Sequence, residues 1–417
     1  MDDKQSLPFE DDKKLKDHKQ IGQEMELFFT DEIAPGASFW LPKGMVIFKE
    51  LEKYIRELTL DAGYLETSTP IMVKSELFKQ SGHWEKFGEH NMYNLVLSEE
   101  NDESKALSYS LKPMNCPEST ILYRFRPRSY KELPLRLMEI GRLHRREKSG
   151  EVNGLLRVRQ LTMDDAHIYA REGQIFDEVS NILDTMVEFY KKLGFEPEFR
   201  FATRPETRAG TDEMWDKAEE TLSEAIKKKG IQAGDKKGDG AFYGPKIDLH
   251  IKDAQKREWQ LATVQLDFHM PEAFDLRYIN EEGQAQKPVM IHRAIFGSFE
   301  RFIAILTEHF QGAFPLWLSP VQAQIIPISD KHINYAQKLL GQFKSPGIRV
   351  EIDGRAETMQ SKIRDAQTQK IPYMIIVGDK EEQSGSISIR TRGGENLANQ
   401  DMEQFLDKIK QEIAEKV

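Results

Sequence analysis

The stretch RLMEIGRLHRREKSGEVNGLLRVRQLTMDDAHIY, residues 136–169, carries more information about the fold than any other segment. Two β-rich runs flank a short polar loop that contains Gly150 and Gly154, two residues suited to turning the chain. This pattern predicts an antiparallel hairpin of two strands joined by a loop.

Four charged residues of this hairpin are candidates for nucleotide binding. Side chains two positions apart share a face of a strand, so Arg145 and Glu147 are expected on one strand, facing Arg157 and Arg159 on the other. Guanidinium groups bind phosphates bidentately, and a carboxylate accepts from an exocyclic amine. The set suits a polyphosphate joined to an amino-bearing base. On these residues alone, a solvated charged hairpin is an equal alternative.

A second cluster, HRAIFGSFERF at residues 292–302, strengthens the nucleotide hypothesis. Gly297 permits a close backbone approach, and Arg301 is expected at the start of the following helix. A fourth arginine is therefore available to the same anionic ligand.

The rest of the chain predicts an α+β body followed by a smaller α/β domain. Residues 44–62 carry apolar side chains at three- and four-residue steps, which predicts an amphipathic helix ended by Gly63 and followed by a strand that ends at Pro70. The middle of the chain has no fixed strand–helix alternation, which favours an antiparallel sheet flanked by helices. Its predicted strands are Leu155–Thr162, Ile247–Ile251 and Trp259–Phe268.

The pattern changes after FPLWLSP, residues 314–320. The predicted domains are a lead-in at 1–20, a body at 21–314 and an α/β domain at 321–417. The last domain is predicted to contain strands at 323–328, 349–352, 373–377 and 386–390, and helices at 334–343, 358–368 and 402–413.

Composition is that of an ordinary enzyme. Of the 417 residues 39% are apolar, and no apolar run approaches the roughly 20 residues that cross a bilayer. The charged start of the chain does not resemble a secretory signal, so a cytoplasmic location without membrane contact is expected.

A net charge of -10 argues against a globally basic nucleic-acid coat but allows a local basic track. The lone cysteine, Cys116, is a buried thiol, a nucleophile or a metal ligand.

The helix with its following strand, the Arg-x-Glu hairpin and the Gly-Ser-x-Glu-Arg segment resemble motifs 1, 2 and 3 of class II aminoacyl-tRNA synthetases. Within that class, the chain from Asp17 onward is similar to threonyl-tRNA synthetases. The similar segments are KPMNCP (112–117), MDDAHI (163–168), ATRPETRAGTDEMWDKAE (202–219), GAFYGPKID (240–248), WQLATVQLDF (259–268) and PVMIHRAI (288–295).

The resemblance implies a zinc site made of Cys116, His167 and His292, one ion per subunit. A thiolate and two imidazoles are favoured zinc ligands, and three protein ligands leave one open position, as in catalytic sites. The three residues are far apart in sequence, so no local spacing reveals them.

The same resemblance implies roles in binding threonine and ATP with Mg²⁺. Arg145 is expected at the α-phosphate, Glu147 at the adenine amino group, Arg157 at the terminal phosphates and Arg301 at the adenine face. The other expected contacts are Gln260 and Thr263 to ATP, Asp165, Tyr243, Met114 and Gln265 to threonine, and His83 as a catalytic histidine beside the terminal ribose of tRNA.

The C-terminal domain resembles the anticodon-binding domain of this family, in which Arg364, Glu381 and Arg390 match positions near the anticodon of tRNA(Thr). A homodimer formed through motif 1 is also implied. The chain departs from the expected pattern at Leu161, Met163, Glu118, Ser119 and Ala356, which puts affinity in doubt.

Two other functions were weighed against a threonine–tRNA ligase. A non-catalytic paralogue that senses threonine or tRNA is expected to lack a phosphate-binding arginine or a zinc ligand, and a zinc hydrolase is expected to carry an HExxH-like pair. Neither pattern is present. Because the catalytic region begins almost at once, with His18 the only histidine before it, the sequence also predicts no N-terminal editing domain and detectable serylation of tRNA.

Overall fold

The computed structural model describes residues 15–99, 102–345 and 347–416. The α+β class expected from the sequence is confirmed. The α-helices of these residues are α1 His18–Glu24, α2 Pro42–Asp61, α3 Glu76–Gln80, α4 His83–Asn91, α5 Cys116–Tyr123, α6 Ile175–Lys192, α7 Asp212–Lys228, α8 His269–Ala273, α9 Phe299–His309, α10 Ile333–Lys344, α11 Met359–Thr368, α12 Asp379–Ser384 and α13 Met402–Glu415. Short 3₁₀ turns lie at Tyr130–Glu132, Ser149–Glu151, Glu172–Gln174 and Asp330–His332.

The strands of the described residues are β1 Phe28–Thr30, β2 Ser38–Trp40, β3 Leu65–Glu66, β4 Met72–Lys74, β5 Asn94–Glu99, β6 Asp102–Leu111, β7 Arg128–Ser129, β8 Leu135–His144, β9 Gln160–Ala170, β10 Glu198–Ala202, β11 Ala233–Lys236, β12 Lys246–Lys252, β13 Glu258–Asp267, β14 Tyr278–Ile279, β15 Ala285–Gln286, β16 Val289–Ser298, β17 Ala323–Pro327, β18 Val350–Ile352, β19 Tyr373–Val377, β20 Ile387–Thr391 and β21 Asn396–Gln400.

The chain forms two compact units. Among the described residues, the large unit contains Glu32–Ala37 and Glu52–Phe302, and the small unit contains residues 15–31, Ser38–Leu51 and residues 303–416. None of the helices in the described residues is both long and apolar enough to cross a membrane.

The large unit is built on an eight-stranded sheet with the order β11-β10-β12-β13-β16-β9-β8-β3. Its central pairs are antiparallel, while β10/β11 and β3/β8 are parallel. Strand β16 is buried at nearly every position, as expected for a strand covered on both faces. This sheet is the platform on which the candidate site is assembled.

Helix α2 confirms the amphipathic helix predicted at residues 44–62. Gly63 follows it with φ +77°, a left-handed conformation that glycine adopts at no steric cost. The next strand, β3, is shorter than predicted and ends at Glu66.

The predicted hairpin is present, but its strands end earlier than expected. Strand β8 ends at His144 and β9 begins at Gln160, so Arg145, Glu147, Arg157 and Arg159 lie in the connecting loop, and the strand predicted at Leu155–Thr162 is wrong before Gln160. The backbone N–H of Arg145 still donates to the carbonyl of Arg159 at 2.8 Å, which holds the two sides of the loop together.

The small unit contains a five-stranded sheet with the order β18-β17-β19-β20-β21. Every strand and helix predicted beyond residue 320 is found within a few residues of its expected bounds. Helix α12 and strand β21 were not predicted, because both are short and polar and lack an apolar period.

Residues 15–31, 38–51 and 303–314 pack in the small unit, although the sequence placed most of them with the large sheet. Long-range polar contacts within the small unit accompany this packing. His18 Nδ1 lies 2.6 Å from Glu308 Oε1 with both side chains buried, and Arg349 Nη1 lies 2.6 Å from Glu50 Oε1.

Candidate active site

Three potential metal ligands meet on the large sheet. Cys116 is the first residue of α5, and His167 on β9 is paired directly with His292 on β16. All three residues are buried, and their ligand atoms lie within 4.8 Å of one another. One thiol and two imidazoles are a favoured donor set for zinc, and three protein ligands leave a coordination position for a substrate. The residues therefore fit the expected ion.

The protonation states of Cys116 and His167 depend on their buried surroundings and on whether a cation is bound. Burial raises the pKa of the Cys116 thiol well above its usual range, and the nearby carboxylates of Asp165 and Glu118 raise it further. Burial also lowers the pKa of His167 well below its usual range, which favours the neutral imidazole that binds metals. A bound cation would reverse the effect on the thiol, since a ligating thiol is deprotonated.

Carboxylate and amide groups surround the three ligands. Oδ2 of Asp267, a residue with no exposed surface, lies 2.9 Å from Nε2 of His292 and can orient the imidazole ring. Oδ1 of Asp165 lies 3.8 Å from Nε2 of His167. Nδ2 of Asn115 donates to Oδ2 of Asp165 at 3.1 Å. Asp165 is therefore held beside the three ligands.

His83, at the start of α4, lies next to the same cysteine. Its Nε2 is 3.2 Å from Cys116 Sγ, and its Nδ1 is 2.8 Å from the Ser81 hydroxyl. The ring is completely buried, and burial lowers the pKa of His83 to about 3. A neutral imidazole is therefore present near the expected metal over the physiological pH range.

The other residues expected to contact threonine border the ligand set. The Tyr243 ring stacks on His292 with centroids 4.6 Å apart. The Tyr243 hydroxyl donates to Gln265 Oε1 at 2.5 Å. Gln265, on β13, is paired with His292, on β16. Met114 packs in the apolar cluster that includes Cys116.

A β-bulge brings three polar side chains of β13 to one face. His250 pairs with Gln260 and Asp248 pairs with Thr263, so β13 carries an extra residue between the two pairs. The bulge reverses the strand alternation, and Gln260 therefore shares a face with Thr263 and Gln265 despite the odd spacing. Gln265 Nε2 donates to the Thr263 hydroxyl at 3.1 Å.

Arg145 and Arg301 are partly buried cations. Arg145 Nε donates to the Pro113 carbonyl at 3.2 Å, and Arg301 Nε donates to the Leu156 carbonyl at 3.0 Å. Burial lowers the pKa of Arg301, and the positive charges of Arg145 and Arg157 lower it further. The structure thus brings together three arginines from distant segments into a region that favours an anion.

Glu147 and Arg157 face each other in the loop between β8 and β9. Arg157 Nη2 lies 2.7 Å from Glu147 Oε2 and 3.2 Å from Glu151 Oε2. Together with Arg145 they border an open cleft of about 250 Å³. Its remaining lining residues are Phe87, Asn91, Arg146, Lys148 and Glu151. A carboxylate is thus present among the cations, as expected for a nucleotide site.

The three candidate anticodon residues lie in the small unit. Arg364 is exposed on α11. Glu381, in the first turn of α12, accepts from the Ser388 hydroxyl at 2.7 Å, and Ser388 shares a face of β20 with Arg390. Arg390 Nη1 donates to Asn396 Oδ1 at 3.0 Å. Glu381 and Arg390 therefore lie on the same side of β20, whereas no direct contact joins Arg364 to either residue in the part of the chain described.

Known families account for both halves of this arrangement. Residues 96–310 match the tRNA synthetase class II core domain (G, H, P, S and T), and residues 322–412 match an anticodon binding domain. In a solved crystal structure, the RNA binding domain of threonyl-tRNA synthetase from Cryptosporidium parvum has a sequence 38% identical to this chain. The two structures are similar with a TM-score of 0.89, over 95% of this chain and 98% of that one. The chain belongs to the threonyl-tRNA synthetase family.

Curated threonyl-tRNA synthetases agree with this assignment. The threonine–tRNA ligase of Carboxydothermus hydrogenoformans is 48% identical over 98% of this chain and 63% of its own length. The ligase of Thermotoga maritima is 47% identical over 98% of this chain and 62% of its own length. The chain thus spans less than two thirds of the length of these curated relatives.

Several residues that support this threonyl-tRNA synthetase site were not singled out in the sequence. Asn115 and Asp267 contact the site residues named above, and Asp164 accepts backbone hydrogen bonds from β16. Asp267 and Asp164 are acidic residues within largely apolar strands, and this unusual placement could have identified them. Asn115 directly precedes the cysteine ligand, and its side chain fills the space beside Gly141, where an added Cβ would lie 2.4 Å from Asn115 Oδ1.

The structure also shows the surroundings of four residues at which the chain departs from the family pattern. Leu161 lies in an apolar cluster with Leu143 and Val158, against which Met163 packs. The Ser119 hydroxyl lies 2.9 Å from the hydroxyl of Tyr169. Glu118 is buried, its carboxylate oxygens have no hydrogen-bond partner among the described residues, and burial raises its pKa to about 8.

Proposed function

We propose that this chain is a threonine–tRNA ligase, which activates threonine with ATP and transfers the threonyl group to the 3′ end of tRNA(Thr). The observation that carries the proposal is the convergence of Cys116, His167 and His292 within 4.8 Å, on the sheet whose β8–β9 loop supplies Arg145 and Glu147. A paralogue that only senses threonine or tRNA can lack a zinc ligand or a phosphate-binding arginine. The presence of both complete sets of residues therefore favours the enzyme.

Threonine is recognised through its amino and hydroxyl groups. Cys116, His167 and His292 would hold a zinc ion, and the ion would supply Lewis acidity toward these groups. Asp165 is held beside the ligands and is suited to bind the ammonium group. The Tyr243 and Gln265 pair borders the same space and offers hydroxyl and amide groups to the amino acid.

ATP binds with Mg²⁺ along the loop between β8 and β9. Arg145 contacts the α-phosphate, Arg157 the terminal phosphates, Glu147 the adenine amino group and Arg301 the adenine face. The carboxylate of threonine attacks the α-phosphorus in line, pyrophosphate leaves, and threonyl-adenylate forms. This step needs positioned charge more than covalent catalysis, so partly buried arginines are suited to it.

Transfer to tRNA follows at the same site. The 2′- or 3′-hydroxyl of the terminal ribose attacks the threonyl carbonyl, and AMP leaves. We propose that His83, a neutral imidazole at physiological pH, assists by relaying the hydroxyl proton. The carboxyl-terminal domain binds the anticodon through Arg364, Glu381 and Arg390.

The chain is also proposed to act as a homodimer. Strand β3 is at the edge of the eight-stranded sheet, and Leu65 on that strand is 57% exposed. An exposed strand edge with an apolar side chain is suited to pairing with a second copy. Sedimentation that shows only monomer at micromolar concentration would remove this part of the proposal.

ATP–pyrophosphate exchange tests the proposed activity directly. Exchange is expected with threonine, while valine is expected to be rejected by roughly 10⁴-fold, because it leaves polar groups built for a hydroxyl unpaired. A paralogue that only senses threonine would bind it without exchange. Absence of exchange in zinc-loaded protein with Mg²⁺ would therefore refute the proposal.

Arg390→Ala is expected to impair aminoacylation of tRNA and leave threonine activation intact. Arg390 lies in the small unit, whereas the ATP and zinc residues lie in the large unit. Loss of one base contact costs about 1–3 kcal/mol, so the KM for tRNA should rise by about tenfold or more. Steady-state aminoacylation and exchange assays measure the two steps separately. An equal loss in both assays would count against an anticodon role.

A further inference from the structure

Asp164 is a buried carboxylate that has no role in the proposed reaction. It lies on β9, between the threonine-site residue Asp165 and Met163, and is 1% exposed. Its Oδ2 accepts from the backbone N–H groups of Ile295 at 2.7 Å and Phe296 at 3.3 Å, and its Oδ1 accepts from that of Gly297 at 2.7 Å. One side chain thus satisfies three successive backbone donors.

These donors lie where the ladder between β16 and β9 is interrupted. The strands pair from Val289 to Ala294, and pairing resumes only at Ser298 with Met163. The pairing of β16 with β13 also ends at Ala294. The intervening backbone is buried, and without Asp164 its N–H groups would lack partners at substantial cost. Asp164 therefore stabilises a local departure from regular sheet structure.

The interruption leads directly to Arg301. Gly297 has φ +77°, and an added Cβ would lie 3.1 Å from the Leu261 carbonyl, so the turn is tightly packed. The N–H of Arg301 then donates to the Ser298 hydroxyl at 3.2 Å. A second link to β9 exists, because the N–H of Thr162 donates to Glu300 Oε2 at 2.9 Å.

We propose that Asp164 is a positioning residue, whose carboxylate sets the turn at Ile295–Gly297 and thereby places the Arg301 guanidinium against ATP. This inference rests on the proposed ATP-dependent activation of threonine. The hydrogen bonds of Asp164 reach none of the three expected zinc ligands, and its other buried partner is the side chain of Arg293, whose Nη1 lies 3.5 Å from Asp164 Oδ2. Zinc content and the KM for threonine therefore serve as the readouts that separate an effect on Arg301 from an effect through Arg293.

Asp164→Asn tests this role with an isosteric side chain. Asparagine keeps one acceptor oxygen and directs an N–H group at backbone donors, so the turn must shift. Displacement of a reacting group by about 1 Å costs up to about 100-fold. We expect kcat/KM for ATP in threonine-dependent exchange to fall about 10- to 100-fold, with the KM for threonine and the zinc content unchanged.

Asp253→Asn is the matched control. Asp253 is also a buried aspartate that accepts two backbone N–H bonds, from Gln255 and Arg257 at 2.9 Å, and pairs with the Arg257 side chain at 2.6 Å. It lies in the turn between β12 and β13 and contacts none of the site residues through these bonds. Its variant is expected to retain normal exchange kinetics.

A double-mutant cycle separates positioning of Arg301 from general damage. In an Arg301→Ala background, Asp164→Asn should reduce exchange by less than about threefold, because the group that it positions is already absent. Fully additive losses, a parallel rise in the KM for threonine, or loss of zinc would overturn the inference.

Failure of Asp164→Asn to fold, monitored by its thermal unfolding midpoint, would also overturn it, since Asp164 would then serve the fold and not Arg301. The wild-type protein distinguishes this inference from the proposed function. If the wild type shows no threonine-dependent exchange, the proposed ligase fails. If the wild type is active and the cycle is additive, only the role of Asp164 fails.

Discussion

Cys116→Ala is expected to abolish threonine-dependent ATP–pyrophosphate exchange and to release the bound zinc. Cys116 is the only cysteine of the chain, and the other two proposed zinc ligands are imidazoles. Removal of one of three ligands leaves the ion weakly held, and the threonine site loses the charge around which Asp165 and Tyr243 are arranged. Zinc is measured by elemental analysis of the dialysed protein, beside the exchange assay.

Ser119→Ala provides the control for Cys116→Ala. Ser119 lies on the same short helix, α5, and its hydroxyl contacts Tyr169 at 2.9 Å, but it is not a ligand. This variant should retain stoichiometric zinc and exchange activity. If Cys116→Ala instead keeps both, the metal assignment is incorrect, whatever the result for Ser119.

Arg145→Ala and Arg301→Ala are each expected to reduce the rate of threonine activation by at least ~100-fold, since oriented charge at a transition state is commonly worth that much. Burial lowers the pKa of both arginines, and the positive charge of Arg145 lowers the pKa of Arg301 further. Cations held together in this way favour a polyphosphate ligand. Single-turnover formation of threonyl-adenylate measures the effect on the chemical step.

Two properties distinguish a loss of catalysis from a loss of structure in these variants. Zinc content should be unchanged, because neither arginine contacts a zinc ligand by a hydrogen bond in the described residues. The thermal midpoint should not fall much, because removal of one cation relieves repulsion within the cluster. Arg277→Ala, at an exposed arginine paired with Asp275, controls for removal of a guanidinium and should behave as wild type. Metal loss or unfolding would make these arginines structural.

Local elements were predictable because their signals are local. Helix α2 has an apolar period and a glycine at its end, and the strands of the small unit are short runs of β-branched and apolar residues. The hairpin of residues 136–169 was predicted, but its strand ends were not. Arg157 and Arg159 flank Val158 in the alternation expected of a strand, and the sequence does not reveal that the regular pairing of the two strands begins only at Gln160.

The sequence by itself determined the α+β class, the order of most elements beyond residue 320 and, through its resemblance to a family, the identity of the candidate ligands and arginines. Only the tertiary structure decided that Cys116, His167 and His292 converge, because their proximity depends on the pairing of β9 with β16 and on the placement of α5. It also decided the roles of Asp164 and Asp267. A buried aspartate has no fixed partner in a linear chain, and only the folded backbone brings it the unpaired N–H groups or the imidazole that it contacts.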